Sequence, residues 1–573
     1  MPLRTTADFE DRENHRILSA SWMSPPHDLH LQFRIYQMHV SRFTRYAHTC
    51  AADAAGQGER LRSKLPPGDE RLAKDSAELG MTVKAAMENK PENLYRRLPQ
   101  LGAFLDGAAA RELLERFPRD LVADAARRVL LRLRKEIEDE VVTAPLLDRK
   151  LERLGEAVAA ELHDTLQPSL RAVINATGVI LQTNLGRAPL SRAALQQIEE
   201  VAGGYCNLEL DLDTGERSRR DIHIEKLIPR VLTVLAGKHG DVFAESRAAL
   251  VVNNCAAATF LALNSLAEGG EVIVSRGELV EIGGGFRIPE ILRKSGAILR
   301  EVGTTNRTRL ADYASAITPQ TRLILRVHRS NFRLEGFTER PSIQALVELG
   351  AQNSIPVFED QGTGCVARLD QYGIADESCW MDSATAGLSL VAASGDKLLG
   401  GPQCGILVGE RELIECMREN PLYRTYRVDK LTYAALEATL LAYLNGTEES
   451  IPAIGMVART AEAIQQRCES LAAAVCSLSL TTEVVPTRSV VGGGTTPGAS
   501  LPSFAVALHH VEMNEHALAS HLRLLNPPVV SRVANQRVLL DLRTVAEESD
   551  ATLIALLQKE FGRERRRETA AVV

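Results

Sequence analysis

The stretch Ser394-Gly395-Asp396-Lys397-Leu398-Leu399-Gly400-Gly401-Pro402 lies between two apolar runs, 388–393 and 405–408. It reads as a tight turn at the mouth of a strand, with Gly-Gly-Pro bringing the chain back into the next one. A lysine held there is fixed and partly desolvated, and it lacks a long exposed stem. An amine that must attack the aldehyde of a cofactor needs that setting. A lysine in a turn is more often simply exposed, so the reading depends on what surrounds it.

Outward from this turn, residues 173 to about 408 alternate short apolar runs (249–252, 271–274, 323–327, 356–358 and 388–393) with polar or Gly-rich turns and helix-like stretches. That alternation predicts a largely parallel sheet covered on both faces. Ligands of such sheets bind beyond the carboxyl ends of the strands. The run 356–358 ends in Glu359-Asp360-Gln361-Gly362-Thr363-Gly364. Asp360 can pair there with the protonated ring nitrogen of pyridoxal 5'-phosphate, or it can cap a turn. The run 249–252 leads into Asn253-Asn254-Cys255-Ala256-Ala257-Ala258-Thr259. Asn254, Ala256 and Ala257 would let a helix N-terminus approach a phosphate, although small residues also start helices for packing alone. Phosphate site, aspartate, then lysine is the chain order of the aspartate-aminotransferase-like (fold type I) pyridoxal-phosphate enzymes.

The remaining chain frames this domain. Residues 1–90 are rich in His, Arg and Pro and are expected to be a poorly ordered leader, or translation from a start upstream of the true one, with Met81 and Met87 as alternatives. Residues 91–165 predict a small helical domain, with Leu113, Phe117, Leu121, Ala125 and Val129 spaced as the apolar side of one helix. Its other side carries Arg128, Arg132 and Lys135, and residues 94–135 hold ten basic against five acidic residues. A charged helix face is usually only solvated; here it is a candidate RNA contact, in a chain whose net charge of −7 supplies no general basic field. The pyridoxal-phosphate catalytic domain is placed at 166–445. An α+β C-terminal domain, ending in a frayed basic tail, is placed at 446–573. The Gly492-Gly493-Gly494 run lacks the Lys-Ser/Thr of a phosphate loop and reads as a flexible turn.

At 573 residues the chain is long enough for several domains. Its nine cysteines show no C-x-x-C and no metal-ligand spacing, so they read as reduced thiols and no metal is expected. The sequence shows neither a signal-peptide core nor a membrane span, which predicts a soluble, cytoplasmic protein.

Several longer segments carry a resemblance to one family. They are Val173 to Arg187, with Asn175-Ala176-Thr177-Gly178 and Gln182-Thr183-Asn184-Leu185-Gly186-Arg187; 275–286, with Gly283-Gly284-Gly285-Phe286; Val327-His328-Arg329-Ser330-Asn331-Phe332; the lysine turn; 420–431; and 493–499. Together with Leu98-Pro99 and the helices after it, these segments resemble the bacterial L-seryl-tRNA(Sec) selenium transferases over roughly residues 94–557. The resemblance implies β-elimination of water from seryl-tRNA(Sec), addition of selenium from selenophosphate, and a homo-oligomer with active sites between subunits. It implies that Lys397 joins the cofactor, that Asp396 lies beside it, that Asp360 pairs with the ring nitrogen, and that Arg187, Arg424 and Arg427 hold the selenium donor. Were 423–427 helical, Arg424 and Arg427 would share a face. Cys255, Gln361 and Cys404 depart from the family pattern, and Cys404 would add thiol reactivity. Two other readings remain at this level. One is a lyase or transferase of the same superfamily acting on a free small amino acid or sugar acid; the other is a non-catalytic tRNA-binding protein.

Overall fold

The computed structural model describes residues 94–139, 141–237, 246–283, 285–366, 368–375, 377–477 and 479–562. The leader expected over 1–90 and the basic run 563–567 lie outside the described residues. The chain divides into two compact units between Pro168 and Ser169.

The first unit is helical, with main helices Ala108–Arg116, Arg119–Glu138, Ala144–Glu152 and Leu154–Leu166. Val122, Ala126, Val129 and Leu133 form the stripe of Arg119–Glu138 that packs on Leu147, Val158 and Leu162. The single helix expected through Leu113, Phe117 and Leu121 is two helices. Pro118 disfavours helical backbone at the residue before it, and Phe117 is extended at φ −133° and ψ 146°.

The second unit contains strands β1 (Ile174–Ala176), β2 (Arg247–Val252), β3 (Glu271–Ser275), β4 (Glu281–Ile282), β5 (Phe286–Arg287), β6 (Ile298–Val302), β7 (Thr321–Val327), β8 (Val357–Asp360), β9 (Leu390–Ser394), β10 (Gly405–Glu410), β11 (Leu480–Val490), β12 (Ser500–His510), β13 (Val529–Ala534) and β14 (Arg537–Asp541). Seven of them form one sheet in the order β2-β10-β9-β8-β7-β3-β6. β10 runs against both its neighbours, and the other six strands share one direction. One face packs on Ile224, Ile228, Leu436 and Leu440, and the other on Leu261, Leu263, Ile414 and Met417. Burial on both faces is why most of these strands read as unbroken apolar runs rather than alternating ones, whereas β6, at the sheet edge, is largely exposed. This is the α/β class expected from the sequence, a largely parallel sheet covered on both faces.

A second, five-stranded sheet has the order β1-β13-β14-β12-β11. It packs Val506, Leu508 and Leu540 against the helices Ala461–Val475, Glu515–Arg523 and Asp550–Phe561. β1 comes from the stretch assigned to the catalytic domain, yet it pairs in parallel with β13. Gly178, at φ +75°, shows what holds it there: a Cβ at this position would lie 2.3 Å from Asp541 Oδ2. Asp541 is itself buried and accepts hydrogen bonds from the hydroxyls of Ser489 and Ser503. Asn-Ala-Thr-Gly therefore fastens this stretch to the five-stranded sheet.

Candidate active site

The carboxyl ends of β2, β8 and β9 bring three of the expected groups together. Asp360 is the last residue of β8 and is buried. Its Oδ2 accepts from the Thr259 hydroxyl at 2.9 Å, and its Oδ1 faces the Cys255 thiol at 3.6 Å. Burial pushes the Asp360 carboxyl up, while the Thr259 hydroxyl, Lys397 and the Cys255 thiol pull it down. A cation placed against it would complete that compensation.

Lys397 lies three residues after β9, and its side chain is buried as the turn required. Gly400 and Gly401 donate their N–H groups back to the carbonyls of Lys397 and Gly395, at 2.9 and 2.8 Å, which closes the turn. Burial depresses the Lys397 ammonium and Arg187 adds to the effect, against Cys255, Asp360 and Asp396. The neutral amine, which is the nucleophilic form, is thereby favoured. Asp396 uses both carboxylate oxygens: Oδ1 accepts from the Ser394 hydroxyl and Oδ2 from Arg187 Nη1, each at 2.7 Å. Arg187 holds this position from a left-handed backbone at φ +64°.

The phosphate end is built where β2 opens the helix Cys255–Ala267. Asn254 is its N-cap and accepts the Ala257 N–H at 2.8 Å. The Ala257 amide is thus committed, and the amides of Cys255 and Ala256 are the pair a phosphate can use. The donor set suits a small aromatic cofactor with an aldehyde, a basic nitrogen and a phosphate, as pyridoxal phosphate is.

Arg424 and Arg427 do not share a helix face. The helix Pro421–Tyr426 stops before Arg427, which is extended at φ −63° and ψ 136°. Arg427 instead bridges to Val252, and the Tyr426 carbonyl accepts the Asn253 N–H at 3.0 Å, so this segment borders the phosphate end. Arg427 Nε is buried with no hydrogen-bond partner among the described residues, whereas Arg424 is exposed. Cys404 is fully buried, and burial pushes its thiol up. A buried, protonated thiol is unreactive, which corrects the expectation of added reactivity.

Four residues of this edge received no role from the sequence. His328 follows β7, and its backbone N–H donates to the Asp360 carbonyl at 2.9 Å. Burial, with Arg340, Lys397 and Arg326, lowers its imidazole to about 3. Glu377 Oε1 is 3.7 Å from His328 Nε2, too far for a hydrogen bond, and the neutral imidazole makes no ion pair with it. Burial raises the Glu377 carboxyl to about 7, against the Thr363 hydroxyl, the Thr496 amide and Lys397. Thr363 connects this group to the lysine turn, its carbonyl accepting the Leu398 N–H at 3.0 Å. Thr496 comes from the Gly-rich segment read as a flexible turn. The motif containing His328 and the segment 493–499 were visible signals; Glu377 stands in coil with no pattern around it.

Two of the three basic residues expected to contact RNA are already paired. Arg128 and Arg132 both reach Glu161, each at 2.6 Å, and Arg128 also donates to the Thr165 hydroxyl at 2.8 Å, while Lys135 is exposed. A groove of about 800 Å³ in this unit is lined by Val129, Arg132, Leu133, Leu146, Lys150 and Ala157, among others. It holds none of the candidate catalytic residues. No described helix is long and apolar enough to cross a membrane.

A family model described as L-seryl-tRNA selenium transferase matches residues 173–546, and one described as selenocysteine synthase N terminal matches residues 95–134. The L-seryl-tRNA(Sec) selenium transferase of Aquifex aeolicus is 43% identical over 470 residues, 82% of this chain and 99% of the relative. That of Geotalea daltonii is 43% identical over 471 residues, 81% of this chain and 99% of the relative. Among solved structures, a D-glucosaminate-6-phosphate ammonia-lyase is 18% identical with a TM-score of 0.46, over 70% of this chain and 99% of that one.

Proposed function

The chain belongs to the L-seryl-tRNA selenium transferase family, and from that premise we propose that it converts seryl-tRNA(Sec) to selenocysteinyl-tRNA(Sec), using pyridoxal 5'-phosphate and selenium from selenophosphate. The observation that carries the proposal is Lys397, buried between Asp360 and Asp396 with its ammonium depressed by burial. Pyridoxal phosphate, when bound, supplies an electron sink that makes the α-proton of the seryl group acidic. The protein's residues then have separate tasks. Lys397 is the attachment point for the aldehyde; once displaced by the seryl amine, it is the base that takes the α-proton and later returns it. Asp360 keeps a proton on the ring nitrogen. The amides of Cys255 and Ala256, at the Asn254-capped helix end, hold the phosphate. Asp396 and Arg187 form one charge pair beside the lysine, and Arg187 has guanidinium N–H groups beyond Nη1 to offer the selenium donor. Arg424 and Arg427 complete that set, since guanidinium forks suit a small dense anion.

In the same reading Arg128, Arg132 and Lys135 contact the tRNA, the protein is a cytoplasmic homo-oligomer, and the division of labour follows the ranges 91–165, 166–445 and 446–573. The two rival readings are not favoured. Relatives covered over nearly their whole length act on seryl-tRNA(Sec) by name, and a non-catalytic protein has no use for a buried Lys397 facing Asp360. A selenium-free incubation tests the proposal: seryl-tRNA(Sec) with holoenzyme should yield pyruvate after deacylation, from hydrolysis of the dehydrated seryl group. No pyruvate above that from Lys397→Ala would count against it.

A further inference from the structure

Loss of water from a seryl group needs two proton movements. The α-carbon gives up a proton, and the β-hydroxyl must receive one to leave as water rather than hydroxide. Lys397 accounts for the first under the proposed function, on which this inference rests. The second needs a buried acid near Lys397 that keeps its proton at neutral pH and has an oxygen free to present it.

The groups at this edge can be taken in turn. Asp360 is committed to Thr259 and Cys255. Asp396 has both oxygens engaged by Ser394 and Arg187. Burial and the neighbouring Asp360 carboxylate push the Cys255 thiol up, which makes it a poor acid. His328 has already lost its proton, its imidazole being lowered to about 3. Glu377 remains. Its side chain is only 4% exposed, and its Oε1 has no hydrogen-bond partner. Two neighbouring buried polar atoms, His328 Nδ1 and Thr496 Oγ1, also have no partner. Buried polar atoms are almost always satisfied, so a group of orphans at a strand edge points to a polar ligand. Gln361 contributes to the placement. It is buried, and its Nε2 donates to the carbonyl of Ser378, next to Glu377, at 2.8 Å. An apolar side chain at 361 could not hold that carbonyl, which gives this departure from the family pattern a physical role.

We propose that Glu377 is the acid that protonates the departing β-hydroxyl, with Gln361 as a positioning residue that holds its segment in place. The α-proton passes to Lys397 Nζ and the electrons of the C–H bond form the Cα=Cβ bond. The Cβ–O bond breaks, and the oxygen leaves as water with the Glu377 proton. When selenophosphate adds, its Se–H proton passes to Glu377 as the Se–Cβ bond forms, and Lys397 returns a proton to Cα. Water then cleaves the Se–P bond, releasing phosphate. Both side chains end as they began, and nothing is oxidised or reduced. The charged and titratable groups facing Glu377 are Lys397, His328 and Cys365. Burial raises the Glu377 carboxyl to about 7, so the proton-donating form is lost as pH rises through neutrality.

The test compares wild type, Glu377→Gln and Glu377→Asp, as full chains loaded with pyridoxal phosphate, in single turnovers on seryl-tRNA(Sec) and on β-chloroalanyl-tRNA(Sec). Chloride leaves without a proton. Glu377→Gln should slow dehydration of the seryl group by about 100-fold or more, leave chloride elimination within about threefold, and retain exchange of the α-proton with solvent deuterium. Glu377→Asp, still an acid but shorter, should recover part of the loss. Wild-type dehydration should fall above neutral pH, and that limb should vanish in Glu377→Gln. Equal slowing of both substrates, loss of α-proton exchange, or unchanged dehydration would overturn the assignment. An inert wild type would instead remove the proposed function beneath it.

Discussion

Gly405→Ala is a demanding test of the phosphate end, because Gly405 touches it through backbone alone. A Cβ on Gly405 would lie 2.1 Å from the Asn254 carbonyl oxygen, 2.4 Å from its carbon and 2.8 Å from the Cys255 nitrogen. Ordinary contact begins at 3.4 Å, so β10 and the start of the helix Cys255–Ala267 must separate by about 1 Å, and a packed interior resists such a shift. No rotamer change can relieve a contact between main chains. Overpacking of this kind costs about 1–3 kcal/mol, which corresponds to a fall in Tm of a few degrees. The displaced atoms belong to the helix end that would hold the phosphate, and its attraction for anions is confined to the first turn. Cofactor Kd should therefore rise about tenfold, equivalent to about 1.4 kcal/mol. Titration of pyridoxal phosphate into the apoprotein, followed by its visible absorbance, measures this, with a thermal melt alongside. Gly204→Ala, where an added Cβ meets nothing within 4 Å, is the control. An unchanged Kd and Tm in Gly405→Ala would refute both the close approach and the placing of the phosphate.

Other perturbations probe the remaining assignments. Lys397→Ala should lose the yellow colour of the bound cofactor, and borohydride reduction of wild type followed by peptide mapping should place the pyridoxyl group on Lys397; a label on another lysine would sink the assignment. Arg187→Ala, Arg424→Ala and Arg427→Ala should each lower selenium transfer by at least about tenfold, the loss of one charge-assisted hydrogen bond, with cofactor binding intact. Loss of cofactor by Arg427→Ala would show that its unpartnered Nε serves the phosphate instead. Changing Arg128, Arg132 and Lys135 together to Glu should weaken seryl-tRNA(Sec) binding and flatten its log–log salt dependence by about one unit for each phosphate no longer engaged. The pairs with Glu161 are exposed enough to contribute at most about 1 kcal/mol each and can yield to phosphates; normal binding by the triple variant would exclude this face.

Most of the large sheet was legible because strands buried on both sides appear as short apolar runs, each within a few residues of its observed bounds; β6, exposed at the sheet edge, left no such run. The lysine turn and Asp360 were legible for a related reason: in such a sheet, chemistry sits just past the end of a run. Purely local signals misled where a break or a tertiary partner intervened. Pro118 interrupts an apolar spacing that continues in register on both sides, and Arg427 leaves the helix to pair with Val252. The role of Gly178 depends on Asp541, which is far away in sequence and carries no local mark. Glu377 was unreadable for the same reason. Nothing in its coil segment distinguishes a carboxyl that three other segments enclose at His328, Thr363 and Thr496.

The most direct measurement of the central claim is the fate of the seryl group. Purified full-length protein, loaded with pyridoxal phosphate, would be incubated with seryl-tRNA(Sec) and selenophosphate, and the amino acid released from the tRNA identified by mass spectrometry. The account predicts selenocysteine, formed by wild type and absent with Lys397→Ala. Recovery of serine alone from a fully loaded wild-type enzyme, or selenocysteine formed equally by Lys397→Ala, would contradict it.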